Sequence, residues 1–333
     1  MKALVLKRYG GAPQLEFAEL ARPAIKPDEI LVRVHAAGLN PIDNMIPTGS
    51  FKPLLKLQLP ATMGSDLAGV VVETGSQVSR FKVGDAVFAS TFGLGVGTLA
   101  EYAAVPERVA ALKPEQLDLV QAASIPMVAL TAWQALVERA QLQPGQKVLI
   151  PAGAGGVGSM AIQLAKLLGA KVATTTSSAN VAWVRQLGAD EVIDYKRQSF
   201  ETLLRDYDVV LATLRGGELE KSLQVLGPDS KIISLIGPPD AAFARSRGMN
   251  PVMRSVFGML SWNIRRPARR RKASYSFLFV RPDGQQLATI GAHLAAARLH
   301  AVVDTVFPFA QAQDGLAYLA QGRAKGKVVV QLV

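Results

Sequence analysis

The sequence predicts an α/β protein of two domains, a doubly wound parallel sheet beside a mainly β domain. Three observations predict it. The chain has 333 residues, more than one ordinary core accommodates. Its first third alternates short apolar runs with turn signals, the spacing of a compact all-β domain. From Ser124 onward, strand-like runs alternate with amphipathic helix patterns, which requires parallel strands joined by crossover helices.

In chain order, the runs Ile30 to Val34, Ala68 to Glu73, Ala86 to Phe88 and Ala100 to Val105 read as strands of the first domain. Ser124 to Glu138 has helical periodicity and ends before the turn at Pro144-Gly145. Then Lys147 to Ile150 reads as a strand, Gly156 to Leu168 as a helix, Lys171 to Thr175 as a strand and Ala179 to Leu187 as a helix. The strand runs continue at Glu191 to Ile193, Asp208 to Ala212 and Lys231 to Ile236. Phe277 to Val280 reads as a sixth strand, with Gly284 to Arg298 as its helix. The last stretch, with strands at Val302 to Phe307 and Lys327 to Leu332, lacks this rhythm and is assigned back to the first domain. The expected division is 1–123 with 300–333, and 124–299.

Composition narrows the chemistry. Apolar residues make up 49% and charged residues 19%, a globular usage. No secretory leader pattern opens the chain and no apolar stretch is long enough to span a bilayer, so the cytoplasm is the expected location. There is no cysteine, which excludes disulfides, thiolate nucleophiles and cysteine-held metals. The three histidines, His35, His293 and His300, form no paired motif.

The motif that carries chemistry is AGAGGVG at 152–158. Gly153, Gly155 and Gly158 satisfy G-x-G-x-x-G directly after a strand and at the opening of a helix, with Ala154, Gly156 and Val157 between them. Gly153 permits the tight turn, Gly155 lets backbone approach a pyrophosphate, and Gly158 allows close helix packing. The helix N-terminus offers free N–H groups to the anion. NAD-binding folds place an acid about 20 residues further on, but this chain reads Thr174, Thr175, Thr176, Ser177, Ser178, Ala179, Asn180. Hydroxyls and a second helix start suit a 2′-phosphate, so NADP(H) is the expected cofactor. A simple N-cap role for Ser178 or Asn180 is the competing reading.

At this point the residues resemble the zinc-independent quinone oxidoreductase and NADPH-dependent enone reductase branch of the medium-chain dehydrogenase/reductases. The resemblance covers nearly the whole chain. It rests on GLNPID at 38–43, GSDLAGVVVETGSQV at 64–78, GDAVF at 84–88, AASIPMVALTAW at 122–133, the Gly motif, LGADEVIDY at 187–195 and GRAKGKVVV at 322–330. It implies a Rossmann-like doubly wound parallel sheet plus a GroES-like mainly β catalytic domain. It also implies that Thr131 approaches the nicotinamide or its ribose, Asn40 lies near the reacting ring and Tyr195 packs by the adenosine phosphate. Gly237 would line the cofactor cleft, Phe279 and Val280 would reach the carboxamide, and Lys327 would lie close to the cofactor. Thr131 as a packed helix residue, Tyr195 as an ordinary strand aromatic and Lys327 as a solvated edge lysine are the competing readings. The family commonly forms homodimers.

In zinc-dependent relatives a cysteine and a histidine stand where this chain has Asn40 and Ser65, so no metal is expected. Without a Lewis acid, isolated carbonyls are poor acceptors, whereas quinones and enones spread the incoming charge. The expected substrate is a small apolar conjugated carbonyl or quinone, with Asn40 orienting or stabilising it. Met45 and Phe51 stand where relatives carry tyrosines, and 212–217 read Ala-Thr-Leu-Arg-Gly-Gly in place of Asp-Thr-Val-Gly-Gly; both departures leave the proton donor open. A catalytically weak NADPH-binding sensor or scaffold is the alternative.

The formal charge is +11, of which Arg245, Arg247, Arg254, Arg265, Arg266, Arg269, Arg270, Arg271 and Lys272 contribute +9 with no acid among them. Residues 240–276 read first as a solvated insertion whose apolar side packs on the protein, and second as a substrate lid. Nucleic-acid or membrane contact through Arg245 to Lys272 is a third reading, which the composition permits without requiring.

Overall fold

The structure is a computed structural model that describes residues 1–10, 14–55, 57–214 and 216–333. It divides into two compact units, Met1–Leu130 with Arg281–Val333, and Thr131–Val280.

The first unit opens with β1 (Lys2–Leu6), β2 (Leu15–Glu19), β3 (Glu29–Gly38), β4 (Ala61–Thr62), β5 (Asp66–Thr74), β6 (Ala86–Ser90), β7 (Tyr102–Pro106) and β8 (Ala110–Leu112). Alternation decides which side of β3 is core: Ile30, Val32 and Val34 enter one cluster with Leu67, Val71 and Val87, while Arg33 faces solvent. Gly69 sits where β5 crosses the irregular stretch of β3. A Cβ there would stand 2.1 Å from the Arg33 carbonyl oxygen, so only glycine allows the pairing.

The second unit holds β9 (Lys147–Ile150), β10 (Lys171–Thr176), β11 (Glu191–Asp194), β12 (Tyr207–Ala212), β13 (Leu226–Ser234) and β14 (Ser274–Phe277). Their order is β11-β10-β9-β12-β13-β14, and every pairing is parallel. The order reverses between β9 and β12, the place where doubly wound sheets bind ligands beyond their strand C-termini. Val148, Leu149 and Ile150 are fully buried, as expected of a central strand covered on both faces.

The chain then returns to the first unit with β15 (Val303–Pro308) and β16 (Lys327–Gln331). These extend its larger sheet, β15-β16-β3-β5-β6-β8, in which β7 also pairs with β3, and a smaller sheet has the order β2-β1-β4. Leu4, Leu6, Leu39, Met63, Val328 and Val330 form its second core cluster.

Four expectations need correction. The helix Gly284–Ala295 was expected as the crossover of a sixth strand within 124–299, but it belongs to the first unit and packs on β8. Gly284 lies so close to Ala110 that a Cβ would stand 2.4 Å from its carbonyl oxygen. Periodicity reveals that Leu287, Ile290 and Leu294 are buried, not which sheet covers them. The sixth strand is Ser274–Phe277, so Phe279 and Val280 follow it instead of ending it. The run expected at Lys231 to Ile236 overlaps only the latter part of β13, which starts at Leu226 and ends at Ser234. The helix expected from Ser124 to Glu138 is divided into Leu119–Ala123, Pro126–Trp133 and a π-helical turn Gln134–Arg139. Asp118 caps the first piece, and Pro126, which has no N–H to continue a helix, restarts the chain.

Candidate dinucleotide site and buried polar network

In the second unit, β9 runs into the glycine turn and the helix Gly156–Leu167 leaves it. Two of the three glycines are demanded by the protein itself. A Cβ on Gly153 would stand 2.1 Å from the Thr174 hydroxyl, and one on Gly158 would stand 2.3 Å from the Ala152 carbonyl oxygen. Gly155 differs, since a Cβ there would meet only the Ala152 carbonyl oxygen at 3.4 Å. No packing within the protein demands that glycine, and its bare backbone leaves room for a ligand to approach. The helix supplies no acceptor for the N–H groups of Gly156, Val157 and Gly158, and Gly155 as N-cap offers no side chain to satisfy them. This is the arrangement that binds a pyrophosphate.

The hydroxyl run after the turn divides into two jobs. Thr174 donates to the Ile150 carbonyl (2.6 Å), and the Ala152 N–H donates to the Thr175 hydroxyl (3.2 Å), so these two brace the glycine turn. Thr176, Ser177 and Ser178 lie at the C-terminal end of β10. Tyr195 joins them there, because its N–H donates to the Thr176 carbonyl (3.1 Å) while its side chain stays exposed.

One feature of this corner departs from the sequence reading. The Ser178 hydroxyl donates to Asp194, so a carboxylate does stand beside it, delivered by the next strand and not by the stretch after the fingerprint. That hydrogen bond, with help from the Lys196 N–H and the Arg197 guanidinium 3.6 Å away, holds the Asp194 carboxyl below its ordinary range. Lys196 and Arg197, both exposed, stand at this corner beside Asp194 and are candidates that sequence reasoning missed. The signal was their position directly after Tyr195. Asn180 donates to the Ser177 hydroxyl (3.3 Å), and its buried Oδ1 has no partner, a free acceptor at the same corner.

Gly237 follows β13 at this same end of the sheet. A Cβ on it would stand 2.5 Å from the Tyr275 hydroxyl, and its N–H donates to the Ser234 hydroxyl (2.8 Å). Phe279 and Val280, half-buried, follow β14. The Phe279 ring packs on Phe243 (5.9 Å between centroids) beneath the Arg247 guanidinium. Thr131 is buried on the helix Pro126–Trp133. The second unit therefore carries the whole expected coenzyme set except Asn40 and Lys327. Arg215, in the altered 212–217 segment, lies outside the described residues.

Asn40 and Lys327 belong to the first unit, where they form a buried polar network with Asp43, Ser65 and Asp66. Lys327 Nζ donates to the Leu39 carbonyl (2.6 Å) and to Asn40 Oδ1 (2.6 Å), and lies 3.4 Å from Asp66 Oδ2. Asn40 Nδ2 donates to Asp66 Oδ2 (2.9 Å) and to the Gly38 carbonyl (3.4 Å). Asp66 Oδ1 accepts from the Met127 N–H (3.1 Å). Asp43 accepts from the Ser65 hydroxyl (2.7 Å) and the Asn40 N–H (2.8 Å).

The Asn40 amide is engaged at both ends inside the protein, its Oδ1 by Lys327 and its Nδ2 by Asp66 and the Gly38 carbonyl. Lys327 is neither a solvated edge lysine nor a free cation, since each of its three protons has an internal partner.

Two acids and one ammonium share this interior. Burial pushes the Asp43 carboxyl up to about 6, against the pull of its hydrogen bonds with Ser65 and Asn40. Burial also raises Asp66, against the pull of the adjacent Lys327 ammonium and of its hydrogen bond with Asn40. Burial lowers Lys327. Near the network, Leu55, Met63, Phe92 and Val96, with Thr62 and Ser65, line a cavity of about 50 Å³. Met45 and Phe51 are half-buried in this unit.

Comparison with known proteins agrees with this architecture. Residues 26–115 match the alcohol dehydrogenase GroES-like domain, and residues 187–330 match the family described as zinc-binding dehydrogenase. The chain is 36% identical to the chloroplastic NADPH-dependent alkenal/one oxidoreductase of Arabidopsis thaliana, across 99% of this chain and 79% of that protein. It is 33% identical to the chloroplast envelope quinone oxidoreductase homolog of the same plant, across 99% of this chain and 98% of the relative. The quinone oxidoreductase of Coxiella burnetii superposes with a TM-score of 0.85 at 29% identity, covering 100% of this chain and 99% of that one. The chain belongs to the medium-chain dehydrogenase/reductase family, in the branch of the quinone oxidoreductases and alkenal/one reductases.

Proposed function

We propose that this protein is an NADPH-dependent reductase of quinones and α,β-unsaturated carbonyls that works without a metal ion. The observation that carries the coenzyme half is the glycine turn, where Gly155 is required by no internal contact and three helix N–H groups await an anion. Lys196 and Arg197 support NADPH over NADH, because two exposed cations outweigh the single Asp194 carboxylate at the ribose corner. The metal-free half rests on the donor set. The positions matching the zinc ligands of relatives hold Asn40 and Ser65, and the acid beside them, Asp66, already faces the Lys327 ammonium. A dication placed there would meet that ammonium, so zinc does not fit.

When bound, NADPH supplies the hydride and the electron-poor acceptor takes it up. The protein's own part is positioning. The N–H groups of Gly156, Val157 and Gly158 fix the pyrophosphate, while Thr176, Ser177 and Tyr195 border the adenosine end. Backbone at Phe279 and Val280 would hold the carboxamide, and Thr131 would meet the nicotinamide ribose. In the first unit, the Asn40–Asp66–Lys327 network holds the chain from Leu39 onward in one shape. The apolar side chains around the nearby cavity, Leu55, Met63, Phe92 and Val96, favour an apolar acceptor over a charged one. A conjugated acceptor disperses the incoming charge, so no strong electrophile is required, and solvent supplies the proton.

The test is product analysis with NADPH deuterated at the transferable position. Deuterium at the β-carbon of an enone, with no reduction of the matching saturated ketone, is the expected outcome. Deuterium at the carbonyl carbon would refute the acceptor class. NADPH binding with no turnover of any acceptor would describe a coenzyme-binding sensor or scaffold instead.

A further inference from the structure

We propose that the helices Pro251–Leu260 and Trp262–Arg270 form a peripheral docking face for an anionic phospholipid bilayer. The face is a built structure and not a loose insertion. Asp240 caps the preceding helix Ala241–Ser246 and Asn250 caps Pro251–Leu260. The Ser261 hydroxyl bonds the Phe257 carbonyl at the junction (2.8 Å), and Phe257 packs toward Phe243 (6.2 Å between centroids). Ile264 and Ala268 turn inward and are buried.

The outward side is apolar where a soluble surface would be polar. Val252 and Met259 are each 69% exposed, Leu260 54% and Trp262 53%, with Met253 beside them. Val252, Val256, Met259 and Leu260 follow the i, i+4, i+7, i+8 spacing of a single helical stripe. The insertion's apolar side therefore packs on the protein only in part, which corrects the first sequence reading.

The next helix and the two residues after it carry Arg266, Arg269, Arg270, Arg271 and Lys272, all exposed. Among the described residues none of them has an ion-pair partner, and the sequence offers no acid between Asp240 and Asp283. Soluble surfaces intersperse the two signs. Exposed apolar side chains and a tryptophan on one helix and its junction, followed by unpaired guanidinium groups on the next, match the acyl boundary and phosphate layer of a bilayer. Contact is peripheral, because no helix among the described residues is long and apolar enough to cross a membrane.

Two other occupants fit less well. A second copy of the chain would bring like charges together. Single-stranded nucleic acid binds through several stacking aromatics, and Trp262 is the one exposed aromatic among the described residues of these two helices.

Co-sedimentation of the full chain with vesicles tests the proposal, and it needs no coenzyme, so its failure is separate from failure of the reductase reading. At physiological salt the protein should bind phosphatidylcholine–phosphatidylglycerol vesicles and leave pure phosphatidylcholine vesicles largely free. The variant R269Q/R270Q should weaken binding by about five-fold for each cation removed. M259S/L260S/W262S should weaken it by about ten-fold or more, and every position changed is exposed, so both variants should keep the wild-type circular dichroism. Absence of binding to anionic vesicles, or equal binding by wild type and both variants, would overturn the proposal. So would RNA binding without vesicle binding, or a dimer in solution that the apolar variant dissociates.

Discussion

At the scale of single residues, the account turns on the interior shared by Asn40, Asp43, Ser65, Asp66 and Lys327. Removing the ammonium with Lys327→Met strands Asp66 in an apolar interior, and a broken buried pair costs about 3–5 kcal/mol. Urea denaturation should show that loss, and the double variant Lys327→Met/Asp66→Asn should recover a substantial part of it. Equal losses in the single and double variants would remove the pairing from the account. Asp43 makes a separate prediction. Its folded carboxyl is raised to about 6 from an ordinary value of 3.8, so the native state binds a proton that the unfolded state has released. The stability it contributes is full below about pH 4 and is lost as pH rises through about 6, on the order of 3 kcal/mol. Asp43→Asn, whose amide the Ser65 hydroxyl can turn to accept, should flatten that part of the stability profile. An unchanged slope between wild type and variant would show that Asp43 does not titrate there. Little of this network was legible in the sequence. The motif GLNPID marks Asn40 and Asp43 as special, but Lys327 arrives from the far end of the chain through β16, and no local pattern reveals its target.

At the scale of elements, the turn between β9 and the helix Gly156–Leu167 separates glycines needed for folding from the one kept for a ligand. Gly153→Ala and Gly158→Ala drive a Cβ against Thr174 and Ala152 and should destabilise by about 3 kcal/mol, the upper end for overpacking. Gly155→Ala should leave the unfolding midpoint nearly unchanged while weakening NADPH binding by about ten-fold or more, read by fluorescence titration. Equal effects on stability and binding at all three positions would erase the distinction. The ribose corner predicts that Lys196→Glu/Arg197→Glu weakens NADPH by about ten-fold or more with NADH little changed; a parallel loss for both would place the 2′-phosphate elsewhere. Strands β9 to β12 were legible because each is a short apolar run bounded by turns, and the fingerprint was legible because its spacing is steric. The acid at the ribose corner was not, since Asp194 reaches Ser178 only through the pairing of β10 with β11. The helix Gly284–Ala295 was visible as a helix and invisible in its allegiance, because an amphipathic stripe does not name its partner.

At the scale of the molecule, the division of labour was legible in outline: a mainly β unit closed by the C-terminal strands, and a parallel sheet whose order reverses at β9 and β12. The segment after Val280 crosses back to the first unit earlier than rhythm alone indicates. Charge distribution was equally plain in the sequence, but only the fold shows that the helix before the arginines keeps its apolar stripe exposed. What unites the two units in function is the claim that NADPH reduces a conjugated acceptor with no metal taking part. The most direct measurement is NADPH consumption by purified, metal-analysed protein with a panel of quinones and alkenals, before and after exhaustive chelation. The account predicts turnover that chelation leaves unchanged, at substoichiometric metal content and with no activity on simple alcohols. Activity that disappears on chelation and returns with added zinc would contradict it.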